Sequence, residues 1–118
     1  MPVRTVFAAA LLSFALLVPA SAAQADWGSI AVNPETGKTG YSFDYDTIGG
    51  AKRRARHECG KGCIFAVAVR NGYAALVLKR NGVFVAGVGR TRRIAFRAAR
   101  HRAHEQAART VTSVFSGY

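Results

Sequence analysis

Two cysteines, Cys59 and Cys63, are the only thiols in the chain, and they lie four positions apart in HECGKGCIFAVAV, residues 57–69. Such a pair could exchange disulfides, hold part of a metal site, or staple two elements together. Redox pairs favour Cys-x-x-Cys at a helix N-terminus, where the dipole lowers the thiol pKa. Cys59 instead falls where a helix is expected to end, and the negative end of the dipole acts in the opposite sense. Arg56 and Lys61 partly offset it. Zinc takes four ligands as a rule, and the chain has no second pair. The spacing therefore favours a structural bridge between a helix end and a strand start, with Gly60 and Gly62 making the reversal. A loop this short confers only about 2 kcal/mol.

The other reactive side chains point to no chemistry of equal definition. HRAHE, residues 101–105, brings His101, His104 and Glu105 together, but it matches neither His-Glu-x-x-His nor its inverse, and Arg100 and Arg102 would repel a cation. His57 beside Glu58 reads as solvated helix surface. Ser29, Ser42, Ser113 and Ser116 lack a Gly-x-Ser-x-Gly context. Asp44 and Asp46 read as a strand end leading into a helix cap. No catalytic residue, metal ligand or cofactor is assigned from these patterns. A small secreted hydrolase with an unrecognised site is the alternative reading.

Two features could bind a partner. AGVGRTRR, residues 86–93, places Gly87 and Gly89 ahead of a helix start, where free N–H groups favour anions, and Arg90, Arg92 and Arg93 add charge. It lacks the ending of a P-loop, and the same glycines would also let a helix approach a strand. Tyr41, Phe43 and Tyr45 alternate along one strand face. Such a row could stack nucleobases, but Ser42 and Asp44 on the other side make it read as a half-buried core face.

These residues must be positioned by a small domain. The apolar run VFAAALLSFALLV, residues 6–18, follows Arg4 and precedes Pro19 and Ala23-Gln24-Ala25. It is too short for a membrane span, and with the small-x-small site it predicts a signal peptide over 1–25 with cleavage before Asp26. The mature chain, 26–118, is then a single secreted or periplasmic domain without a membrane span, in a compartment where disulfides persist. The full chain carries a formal charge of +11, and loss of Arg4 leaves about +10. Such a balance favours anionic polymers or surfaces as partners, nucleic acid among them, although an arginine-rich composition produces it too.

Apolar patterning predicts six strands and two helices. WGSIAV (27–32) and TGYSFDY (39–45) flank a turn. A helix capped by Asp46 or Thr47 runs to Cys59. CIFAVAV (63–69), YAALVLK (73–79) and VFVAGVG (83–89) follow, separated by Asn71-Gly72 and Asn81-Gly82, which are hairpin signals. Thr91 caps a second helix reaching 107 or 108, and TVTSVF (110–115) closes the chain. The order strand-strand-helix-strand thus occurs twice. The inward stripes are Ile48, Ala51, Ala55 and Cys59 in the first helix, and Ala95, Ala98, Ala99 and Ala103 in the second. The expected class is α+β, with the two repeats forming one largely antiparallel sheet and both helices on one face. On that arrangement Arg53, Arg56 and His57 would join Arg90, Arg93, Arg97, Arg100 and His104 in one broad cationic surface. YAALVLK is apolar on both faces, which leaves a sheet face needing cover and suggests a homodimer.

Several of these segments carry a family resemblance. WGSIAVNPETGKTGYSFDY, the alanine-dotted helix ending in cysteine, CIFAVAVRNGYAAL and GVGRTRRIAFRAA resemble, in that order, the DUF4189 family of small secreted bacterial domains of unknown function. The resemblance implies export and the α+β fold, and it implies no activity. Tyr73 stands where the family's CAAL-like strand carries a cysteine, and the tail has none, so a second bridge is missing as a set.

Overall fold

The structure is a computed structural model that describes residues 26–117. The proposed signal peptide lies outside the described residues. Six strands and two helices follow in the order β1 (Trp27–Val32), β2 (Thr39–Tyr45), α1 (Ile48–Cys59), β3 (Ile64–Arg70), β4 (Gly72–Leu78), β5 (Phe84–Gly89), α2 (Arg92–Ala103) and β6 (Arg109–Ser116). The class is α+β, and the strand-strand-helix-strand unit occurs twice.

Both helices start in the same way. Thr47 and Thr91 hold extended backbone, and their hydroxyls accept from the N–H groups of Gly50 and Ile94. Each helix then buries one stripe at four-residue spacing: Ala51, Ala55 and Cys59 in α1, and Ala95, Ala99 and Ala103 in α2. Small stripes let a helix lie close to a sheet, and each unit uses a glycine to bring it closer. A Cβ on Gly40 of β2 would collide with Ala55 O and Cys59 N of α1. A Cβ on Gly87 of β5 would collide with Ala95 O and Ala99 N of α2. Ile48, expected in the inward stripe, stays 41% exposed in the first turn.

The strands form two three-stranded antiparallel sheets, ordered β2-β1-β3 and β5-β4-β6, where the sequence pattern suggested one. The central strands explain the division. Ile30 and Val32 of β1 point away from α1, while Ala31 points toward it. Ala74 and Leu76 of β4 likewise point away from α2, while Val77 points toward it. A strand apolar on both faces needs cover on both. One six-stranded sheet with helices on one face would have left Ile30, Val32, Val67, Val69, Leu76 and Val114 in water. Instead the two sheets meet face to face over those side chains, each of which contributes about 1.5–3 kcal/mol when fully buried. The helices therefore cover opposite outer faces, and the sheet face that suggested a homodimer is covered by the other half of the same chain.

Two further boundaries differ from expectation. Asn81-Gly82 does join a hairpin, β4 to β5, with Gly82 at φ 90°. Asn71-Gly72 does not: β3 and β4 belong to different sheets, and Asn71, at φ 55°, turns the chain from one to the other. The second helix ends at Ala103 rather than at 107 or 108, because His104 enters the left-handed region as its cap. Arg100 Nε then donates to Ala108 O, which folds the segment back toward β6.

Candidate anion-binding surface

Arg93, Arg97 and Arg100 recur along one face of α2 and line a shallow concavity of about 350 Å³ with Gln106, Ala107 and Ala108. The segment after the helix forms its far wall. Arg100 is fixed there by its bond to Ala108 O at 3.1 Å, and its guanidinium lies 5.6 Å from the Phe96 ring centroid. Held in this way, it keeps N–H groups free for an incoming acceptor. Glu105, the nearest carboxylate in sequence, is directed elsewhere: its Oε2 accepts the Arg80 N–H at 2.9 Å. The concavity is thus lined by arginine, amide and alanine, with no acidic side chain. It can hold an anion by bidentate and charge-assisted hydrogen bonds.

The other residues expected on this surface are placed differently. Arg90 is exposed in the β5–α2 connection, and His104 caps the far end of a helix of 12 residues, roughly 18 Å along its axis. Arg53, Arg56 and His57 are exposed on α1, which covers the opposite outer face. The single broad cationic surface is therefore not assembled; the charge divides into two separate faces. On α1, Arg54 is paired with Glu58. Gly87 and Gly89 face α2 and serve its close approach: a Cβ on Gly89 would lie 2.8 Å from Ala95 N.

Several side chains considered for chemistry have structural partners. Cys59 and Cys63 form a disulfide, with Cα atoms 6.1 Å apart, inside the usual span for a bridge. It clamps the end of α1 to the start of β3, and Cys59 is fully buried. Such a bond in so small a domain is compatible with a location outside the cytoplasm. Ser29 Oγ donates to Val67 O, Ser42 Oγ donates to Ala51 O, and Ser116 Oγ accepts the Asp44 N–H. The buried Asp26 carboxylate receives Arg70 Nε at 3.0 Å.

The aromatic row of β2 is reversed from expectation. Buried Ser42 faces the helix, while Tyr41 and Phe43 are 49% and 53% exposed, with ring centroids 6.5 Å apart. Tyr45 leaves their face because Asp44 takes φ 62°, and its ring lies against Gly50. Alternation was present, but the polar residue proved to be the inward one, since only a small side chain fits beneath α1.

The profile of DUF4189, a domain of unknown function, matches residues 27–115. The chain belongs to the DUF4189 family. This DUF4189 domain is also similar in fold to the NMR structure of Rv1813c from Mycobacterium tuberculosis, at 26% identity and a TM-score of 0.59, covering 77% of this chain and 75% of that one. No curated protein matches the chain. Tyr73, which stands where the resemblance places a family cysteine, opposes Phe115 of β6, with ring centroids 4.9 Å apart. Arg92 lies over the Tyr73 ring at 5.9 Å. An aromatic pair thus joins the central strand to the tail strand in this DUF4189 chain.

Proposed function

We propose that this is an exported, non-catalytic binding module, released by cleavage near Ala25, that engages an anionic polymer through the arginine-lined concavity of α2. Envelope polymer, nucleic acid and host-surface glycan share the required chemistry, a repeated anion on a flexible chain. The observation that carries the reading is the convergence of Arg93, Arg97 and Arg100 on one concavity that no carboxylate lines. The formal charge of about +10 on residues 26–118 adds long-range attraction.

The test is binding of the purified protein to duplex DNA and to a sulfated glycan across a salt series. Affinity is expected to be weakly sequence-selective and to fall steeply with salt, because counterion release drives it. Replacing Arg93 and Arg97 with Gln should weaken DNA binding and flatten the logarithmic salt slope by about 1.8, at roughly 0.9 for each contact removed. Both side chains are exposed, so thermal stability should change little. Absence of polyanion binding at low salt would refute the reading.

A further inference from the structure

Four polar side chains are buried among the described residues, and one of them is only half satisfied. Asp26, Ser29, Ser42 and Ser116 are each at most 3% exposed. The three serine hydroxyls all have partners: Val67 O, Ala51 O and the Asp44 N–H. Asp26 is 1% exposed and carries a carboxylate, yet only its Oδ1 is bound, by Arg70 Nε. Oδ2 is buried with no partner among the described residues. A buried acceptor left unmet gives up its hydration without return, and the loss is larger for a charged group than for a neutral one.

The surroundings supply no second donor. The Arg70 side chain is half in water, and its guanidinium lies 5.8 Å from the Trp27 ring centroid. Trp27, the next residue, is opposed by Tyr45 of β2 and by Arg70 of β3. Asp44, toward the end of β2, is itself an acceptor, taking the Gly117 N–H on Oδ1. One nitrogen is close by covalent necessity. The main-chain nitrogen of Asp26 is four bonds from either carboxylate oxygen, so bond lengths hold it within about 5 Å in every rotamer. Inside a longer chain that nitrogen is an amide with one N–H and no charge. At the start of a chain it is an ammonium with three donors.

We propose that cleavage before Asp26 creates the missing partner: the new α-ammonium pairs with Asp26 Oδ2, and removal of the leader completes a buried ion cluster with Arg70. Hydrolysis of the Ala25–Asp26 bond adds one water, leaving a carboxylate on Ala25 and a protonated amine on Asp26. Free α-amines titrate near about 8, so the ammonium is the neutral-pH form. Processing thereby stabilises the domain that it releases. This inference rests on the cleavage proposed above.

The described fold lies wholly within residues 26–117, so the experiment uses the 26–118 chain. Urea unfolding is measured with Asp26 as the free N-terminus and with a Gly-Ser extension before it. The free form should have an unfolding constant about tenfold smaller, the worth of a hydrogen bond to a charged group. Acetylating the free amine should abolish that gain. In the Asp26→Asn background the ratio between free and extended forms should fall below about threefold, which separates the ion pair from any steric effect of the extension. Asp26→Ala serves the same purpose if Asp26→Asn does not fold. Equal stability of the free and extended forms, or a ratio unchanged by Asp26→Asn, would overturn the pairing. Intact mass of the exported protein tests the other step separately: a start at Asp26 supports the proposal, and any other start overturns it even where the pair forms in the 26–118 chain.

Discussion

At the scale of single residues, the smallest side chains decide the most. Gly87 of β5 lies under α2, with Ala95 O at 2.8 Å from where its Cβ would be. Gly87→Ala must push the helix outward and lose packing along Ala95 and Ala99, at about 1–3 kcal/mol, the cost of overpacking. Thermal denaturation of the variant measures this, and an unchanged midpoint would mean the helix is free to shift. The disulfide is a smaller effect. Replacing both Cys59 and Cys63 with Ala should cost about 2 kcal/mol, the worth of a very short loop, and leave polyanion binding intact. Loss of binding by a still-folded double variant would show that the bridge does more than clamp α1 to β3. The glycine spacing was legible in the sequence, but whether those glycines held phosphate or admitted a helix was not. That distinction depends on which side of β5 the helix covers, and composition is silent on it.

At the scale of elements, each strand and helix among the described residues could be read from its apolar period and its N-cap, Thr47 and Thr91 included, while the stop of α2 at His104 could not. Nor could partnership between strands be read. Asn71-Gly72 has the composition of a hairpin turn, yet β3 and β4 are drawn apart because β3 pairs with β1 at the edge of one sheet while β4 is itself the centre of the other. Tyr41 and Phe43 resembled core for a similar reason: period two identifies two faces but does not say which one meets the helix. The β4–β6 ladder offers a test of the register. Tyr73 and Phe115 are directly opposed, and opposed residues on antiparallel strands have Cα separations of about 4.5–5.5 Å, within reach of a disulfide. Changing both to Cys should give an oxidised form more stable than its own reduced form by about 2–4 kcal/mol, since the closed loop is long. Reduced and oxidised unfolding curves compare the two directly. Failure of the thiols to pair in the folded protein would mean the register is wrong.

At the scale of the whole molecule, the two repeats look like independent units but cannot be stable as such. Each has its own sheet, helix and alanine stripe, so local structure repeats almost completely. The largest apolar cluster, however, belongs to neither half: Ile30, Val32, Val67 and Val69 come from the first, and Ala74, Leu76 and Val114 from the second. Separating the halves would return those faces to water, and the remaining contacts under each helix are mostly alanine and small. The unfolding of the chain should therefore be one transition. Trp27 is the only tryptophan and lies in the first repeat, so its fluorescence reports that half alone, while far-ultraviolet dichroism reports both. Leu76→Ala, in the second repeat, should cost about 2–5 kcal/mol as a buried large-to-small change. Because the cavity opens in the shared interface, the urea midpoint seen by Trp27 should fall as far as the midpoint seen by dichroism, with the slope unchanged. A Trp27 transition that stays in place while dichroism shifts would show two separately folding halves. The face-to-face sandwich would then not be what holds this chain together.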